Sequence, residues 1–222
     1  MKISILCSAE HHPVNKWLKK WITENRTNHE ITLCRKKEQL NGGDLLFLIS
    51  CNEIIDKETR DMFHTSLVIH ASDLPKGRGW SPHIWSILNG AKEIVVTLLE
   101  AEDKVDIGNI WKKQVLKIPP DALYHEINES LFDTELQLMN YAVKNFYTTD
   151  STPQDINIEP SYYLCRTPKD SELDPDKTIS EQFDLIRICD PERYPAFFKL
   201  HGHIYTISIE KKNIDEEQDH NR

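Results

Sequence analysis

The sequence predicts an α/β domain built on a mostly parallel sheet. Short apolar runs alternate with amphipathic segments from residue 3 onward. One of these runs, 45–49, is apolar at nearly every position, as a strand covered on both faces should be. The length of 222 residues allows one substantial core and at most a small second lobe.

Taken in order, residues 3–7 form the first strand. Val14, Trp17, Leu18, Trp21 and Ile22 recur at helical spacing and mark one face of a helix. A second strand is expected at 31–34, and the turn Asn41-Gly42-Gly43-Asp44 leads into the central strand at 45–49. A weak helix is expected over 57–63, and a strand at 67–69 ends at His70. The Gly/Pro-rich loop 71–81 opens on a helix over 82–88, with Ser81 as N-cap, Pro82 in the first helical position and Gly90 just past the end. Strands follow at 93–99 and 114–118. Leu131, Glu135, Leu138, Ala142 and Phe146 then mark the longest helix. Beyond a polar connector at 148–160, a helix is expected near 180–188 and a hairpin over 196–209, turned at Gly202. The organisation is therefore a core over 1–150, an extension over 151–210 that completes it, and a charged tail over 211–222, solvated or disordered.

A formal charge of −9 leaves no global cationic field to hold nucleic acid. The five cysteines are scattered without a CxxC pair, which disfavours a disulfide scaffold or a structural zinc site. No metal-ligand spacing is found. The N-terminal apolar run is too short for a signal peptide and no stretch is long enough to span a membrane, so a cytoplasmic location is expected.

Acid–base sites favour ionisable groups on loops beyond strand ends. His70, closing a strand before a Gly/Pro-rich loop, fits this description, and so does Asp106 in the turn Val105-Asp106-Ile107-Gly108. A carboxylate that orients a histidine is a recurrent arrangement. Spacing alone does not separate this reading from ordinary loop and turn residues.

The stretch HASDLPKGRGWSPHIWSILNG (70–90), followed by EIVVTLLEAEDKVDIGNIW (93–111), resembles the core of the 10-formyltetrahydrofolate-dependent formyltransferases. The matching residues are His70, Ser72, Leu74, Pro75, Arg78, Gly79, Trp85, Gly90, Thr97, Asp106 and Gly108. Arg166, Pro168, Asp170, Ile186, Arg187, Pro195, Ala196 and Phe197 resemble the segment that follows the catalytic domain in sugar N-formyltransferases. The resemblance spans roughly 45–205 and implies a Rossmann-like formyltransferase fold with a short C-terminal helix and β-hairpin extension. It implies 10-formyltetrahydrofolate as formyl donor and, the chain being short, a small-molecule amine as acceptor. UDP-linked 4-amino-4,6-dideoxy sugars are the nearest match, with precursors of pseudaminic acid as a narrower branch.

On this resemblance His70 and Asp106 are the catalytic pair. Ser50, Cys51, Val105, Ile107, Gly108 and Ile110 are the candidate folate contacts, largely through backbone groups. His11, His12, Arg78, Trp80 and Tyr194 are candidate acceptor contacts. Each has a plainer alternative: a surface or capping role for His11 and His12, loop stabilisation through carbonyls for Arg78, and core packing for Trp80, Tyr194 and Phe197. An Asp170–Arg187 ion pair and a hairpin serving as dimer contact or as cover for its own core are also expected. One position departs from the family pattern. Val68 stands where an asparagine two residues before the histidine would help to hold the oxyanion, and Asn52 is the candidate replacement unless it only caps the next segment. The rival readings are a Ser72–His70 hydrolase, a hydrolase of formyltetrahydrofolate, a non-catalytic binder of folate or nucleotide sugar, and a purely structural interaction protein.

Overall fold

The computed structural model describes residues 1–212. Its centre is a six-stranded sheet. β1 (Lys2–Leu6) leads through helix α1 (Val14–Asn25) to β2 (Glu30–Cys34) on one flank, and β3 (Gly43–Leu48) then pairs on the other flank of β1. A short helix α2 (Lys57–Arg60) precedes β4 (Phe63–His70). After the two-residue β5 (Arg78–Gly79) and helix α3 (Pro82–Leu88) come β6 (Glu93–Glu100) and β7 (Ile110–Lys117), giving the order β2-β1-β3-β4-β6-β7. The pairs β1–β2, β1–β3 and β3–β4 are parallel, whereas β4–β6 and β6–β7 are antiparallel. The sheet is mostly parallel, as expected, but its last two strands reverse. An apolar run such as 94–99 reads the same in either direction, so periodicity carries no sign of the reversal.

Alternation along the strands divides the core. Ile3, Ile5, Leu45, Phe47, Leu67, Val96 and Leu98 face one large cluster, covered by α1, α3 and the long helix α4 (Tyr124–Lys144). Leu6, Leu46, Leu48 and Phe63 face a smaller cluster with Leu40 and Ile55 on the opposite side. Helices α1 and α4 are tied by side chains as well as packing. The Nε1–H groups of Trp17 and Trp21 donate to Asp133 Oδ1 (3.0 Å) and Asn140 Oδ1 (2.7 Å).

The C-terminal part contains β8 (Tyr162–Tyr163), parallel to β5, then helix α5 (Ile179–Arg187) and the hairpin of β9 (Ala196–Leu200) and β10 (His203–Ile207). Leu173, Ile186, Cys189 and Ala196 form its own small core, against which Phe198, Ile207 and Ile209 pack. No helix among the described residues is long and apolar enough to cross a membrane.

Several boundaries differ from expectation. The helix expected over 57–63 stops at Arg60, because Phe63 is drawn into the second core and opens β4 opposite Gly43. Strand β7 begins at Ile110, four residues early, its polar Lys112 and Lys113 masking an edge strand. Ser81 has φ +46° and its side chain makes no capping bond, so Pro82 alone sets the start of α3. Arg187 pairs with Asp184 at 2.6 Å, while Asp170 accepts from the Thr167 N–H and hydroxyl, so the expected Asp170–Arg187 pair does not form. The first residue of the expected tail, Lys211, is anchored to Asp121 and Glu126; residues 213–222 lie outside the described residues.

Candidate active site

The chain leaves β1 to one side and returns on the other, which places a topological switch point between β1 and β3. In open sheets of this kind ligands bind beyond the strand ends at such a point. Loop residues 8–13 and 50–52 flank it, and one strand further along stands His70, the last residue of β4.

His70 and Asp106 come together and are 7% and 8% exposed. Imidazole Nδ1 lies 3.4 Å from Asp106 Oδ1, and Nε2 lies 2.8 Å from the Gly77 carbonyl oxygen. Asp106 is itself fixed. Its backbone is left-handed at φ +60°, and Oδ2 accepts the Gly79 N–H at 2.9 Å. Beyond it, Gly108 passes so close to the Glu100 carbonyl that a Cβ would overlap it outright, which explains a glycine there in sterics alone. Thr97 on β6 donates to the Ser72 carbonyl at 2.7 Å and pins the turn that follows His70.

A neutral imidazole carries one N–H, and here both ring nitrogens face acceptors. The Nε2 contact is of normal length. The Nδ1 contact to Asp106 is longer than an ordinary hydrogen bond, so the looser nitrogen lies beside a fixed carboxylate. This arrangement can accept a proton from a nucleophile and pass it on. It does not support the Ser72–His70 hydrolase reading: Ser72 Oγ is buried without a hydrogen-bond partner among the described residues, so it makes no bond to His70.

The oxyanion side differs from the expected pattern. Val68 and His70, two apart on a strand, share a face, and Val68, like Cys51 and Ala101, packs against the second core. Asn52 is exposed. Its backbone N–H donates to Ser8 Oγ at 2.8 Å, and among the described residues its side chain makes no hydrogen bond to His70 or Asp106. The structure therefore does not join Asn52 to the pair.

The candidate folate contacts divide in two. The backbone groups of Ser50, Cys51, Val105 and Ile107 have no partner among the described residues, and the Val105 side chain is 64% exposed. They offer the free donors, acceptors and apolar surface that a flat heteroaromatic ring requires. Ile110 is excluded from that role through its backbone: its N–H and carbonyl are exchanged with Thr152 at 2.7 and 2.9 Å. The Gly108 carbonyl is partly used as well, accepting from Gln154.

The candidate acceptor contacts are also sorted. His11, Trp80 and Tyr194 are exposed, the last 5.8 Å from the Arg193 guanidinium. His12 is half-buried; its Nδ1 accepts the Val14 N–H and lies 3.4 Å from Ser50 Oγ. It thus caps the entry to α1, and burial pushes its pKa down to about 4. Arg78 is half-buried and donates to Gln154 Oε1 at 2.7 Å and to the Tyr162 hydroxyl at 3.1 Å, rather than to a loop carbonyl.

Two residues escaped the sequence reading. His83, at the start of α3, is pushed down to about 4, by burial first and then by the neighbouring basic groups His12, His70 and Arg166. Its one signal is its place directly after the Gly-rich loop. Gln154 lies in the polar connector, where nothing in the local pattern marks it. Among the described residues no group of three His, Cys, Asp or Glu side chains could hold a metal ion.

Comparison with known proteins matches the family model described as formyl transferase over residues 4–143. Methionyl-tRNA formyltransferase from Clostridium thermocellum superposes with a TM-score of 0.78 at 25% identity, covering 96% of this chain and 94% of that one. A sugar N-formyltransferase from Shewanella sp. gives 0.72 at 16% identity, over 96% and 99%. HypX from Aquifex aeolicus in complex with tetrahydrofolic acid gives 0.73 at 20% identity, over 92% and 36%. The chain spans about half the length of the curated relatives it matches, as with the methionyl-tRNA formyltransferase of Protochlamydia amoebophila, 29% identical over 78% of this chain and 55% of that protein. With a formyl transferase match over most of its sheet and a buried His–Asp pair where that sheet meets the Asp106 turn, the chain belongs to the formyl transferase family.

Proposed function

We propose that this protein transfers a formyl group from 10-formyltetrahydrofolate to the primary amine of a nucleotide-linked aminodideoxy sugar, a UDP-linked 4-amino-4,6-dideoxy-N-acetylhexosamine in the first instance. The observation that carries the chemistry is the buried His70–Asp106 pair, fixed by the Gly77 carbonyl and the Gly79 N–H. The amine lone pair attacks the formyl carbon and a C–N bond forms. The carbonyl electron pair moves to oxygen, and collapse of the tetrahedral intermediate breaks the bond to N10. The proton lost by the amine passes to His70 and is delivered to N10 as tetrahydrofolate leaves. Asp106 orients the imidazole and balances the charge it gains. The unpaired backbone groups of Ser50, Cys51, Val105 and Ile107 support a pterin site on this side of the sheet.

A small acceptor is favoured over tRNA by charge. The chain carries 36 acidic against 27 basic side chains, and a polyanion acceptor needs a basic face to hold its phosphates. The hairpin turns Phe198 and Ile207 onto its own core, with Tyr205 stacked on Phe198 on the same face, and leaves Ile204 exposed on the other; that exposed face is the candidate homodimer contact, to be checked by light scattering.

The test is mass spectrometry of protein incubated with 10-formyltetrahydrofolate and a panel of UDP-aminodideoxy sugars, with methionyl-tRNA as an alternative acceptor. One sugar gaining a single CO unit, with tetrahydrofolate released only in its presence, is the expected outcome. His70→Asn and Asp106→Asn should each lower turnover by about 10²- to 10⁴-fold. Formylated tRNA would reassign the acceptor. Release of tetrahydrofolate without acceptor would make the protein a hydrolase, and folate binding without turnover would make it a binder.

A further inference from the structure

We infer that Gln154 is a positioning residue for the catalytic carboxylate, and that Arg78 serves it rather than the acceptor. The inference rests on the formyl-transfer reading above and assigns part of that site. Gln154 lies outside the sheet, in the 148–160 connector, yet its amide nitrogen donates to the Asp106 carbonyl at 2.8 Å and to the Gly108 carbonyl at 3.1 Å. Its amide oxygen accepts from Arg78 Nη2 at 2.7 Å. Arg78 Nη1 donates to the Tyr162 hydroxyl, so both terminal nitrogens of the guanidinium hold protein partners.

These bonds close a circuit around Asp106. Its backbone, twisted to φ +60°, is held from one side by Gln154. Its carboxylate is held from the other by the Gly79 N–H, next in sequence to the Arg78 that Gln154 grips. Gly77, directly before strand β5, supplies the carbonyl that receives His70 Nε2. Strand β5 is anchored in turn by the connector: the Gly77 N–H donates to Ser161 Oγ and the Arg78 N–H to the Ser161 carbonyl, both at 2.9 Å. A Cβ on Gly79 would collide with the Tyr163 carbonyl, so the approach of the two segments is fixed. Gln154 is the side chain that joins the two halves of this frame. Without it, the one direct hydrogen bond among the described residues between the Asp106 turn and strand β5 is that from the Gly79 N–H to the carboxylate.

The experiment compares wild type with Gln154→Leu and Gln154→Glu. Leucine removes all three bonds at similar volume. Glutamate keeps the acceptor for Arg78 but turns a carboxylate oxygen toward two carbonyls. Each variant is first shown to keep its thermal midpoint. The expected result is kcat lowered by about 10- to 100-fold in both, KM for donor and acceptor within about threefold, and displaced ¹⁵N resonances of the His70 imidazole, assigned by their loss in His70→Asn. Unchanged His70 resonances in both variants would overturn the proposal, as would a raised acceptor KM at unchanged kcat, which would return Arg78 and Gln154 to the substrate. The resonance measurement needs no turnover. If the wild type formylates none of the acceptors offered, the formyl-transfer reading fails while the positioning of His70 by Gln154 is still decided. A variant that unfolds is replaced by Arg78→Met, which removes only the outer bond and should shift the same resonances less; no shift there, in a folded protein, would count against the circuit.

Discussion

Glu135 supplies a test of the core that is independent of catalysis. It sits on α4, which packs on the sheet and on α1, and its Oε2 is buried without a hydrogen-bond partner among the described residues. Burial alone raises its pKa from 4.5 to about 8. Because the folded pKa lies above the unfolded one, the linked stability is fully present below about pH 4.5 and is lost as pH rises toward 8. Between those values the unfolded chain ionises Glu135 and the folded chain keeps it protonated. Each unit is worth about 1.4 kcal/mol, so the loss between pH 5 and pH 7.5 comes to about 3 kcal/mol and approaches 4 by pH 9. Glu135→Gln is close in shape to the protonated acid and cannot ionise. Denaturant unfolding at pH 5, 7.5 and 9 should therefore give nearly equal stabilities at pH 5 and a variant more stable by about 3 kcal/mol at pH 7.5. Other titrating groups cancel in the difference. Parallel stability curves for the two proteins would show that Glu135 reaches water or a partner, and the burial argument would be wrong.

Gly108→Ala forces a Cβ into the Glu100 carbonyl, so it should displace the Asp106 turn and abolish turnover while folate-independent folding is weakened, read by activity and thermal midpoint together. His12 and His83 are both held down to about 4 by burial, below the ordinary 6.5; the stability they contribute is present above pH 6.5 and lost as pH falls through 4. His12→Gln with His83→Gln should blunt acid unfolding in that window, each site accounting for at most about 3 kcal/mol. Val68→Asn restores the family amide beside His70. A rise in kcat of up to about 100-fold is expected if the wild-type oxyanion lacks that donor, and an unchanged kcat would show that another group supplies it.

Much of the framework was readable because it rests on periodicities that survive without tertiary context. Val14, Trp17, Leu18 and Trp21 specify α1, and the short apolar runs at 3–7 and 45–49 specify two strands that separate two cores. What escaped was set by partners distant in sequence. Phe63 joins β4 rather than α2 because the second core lies beneath it. Arg187 chooses Asp184, one helical turn away and already on its face, over the distant Asp170. Ile110 fits a folate-contact pattern by position, but Thr152 takes both its backbone groups. Gln154 stands in a stretch without pattern, and its three bonds exist only after the connector has folded back across the sheet edge.

The site itself shows why a buried His–Asp pair is not a complete description of such chemistry. His70 and Asp106 are placed by a strand end and a turn, but the groups that aim them are mostly backbone: the Gly77 carbonyl, the Gly79 N–H and the carbonyls of Asp106 and Gly108. Backbone donors and acceptors are indifferent to side-chain identity, so their positions depend on glycines that permit close approach and on the segment that holds them in place. That segment here is 154–163, whose contacts with β5 run through Gln154, Ser161, Tyr162 and Tyr163. The substitution at Val68 fits the same economy. An apolar side chain packed on the second core stands where a lost oxyanion donor costs about 3 to 4 kcal/mol if nothing replaces it. In a buried site each remaining backbone dipole acts through a lower dielectric and is worth more. The unpaired backbone groups at residues 50–51 are therefore the first place to look for the replacement, ahead of the exposed amide of Asn52.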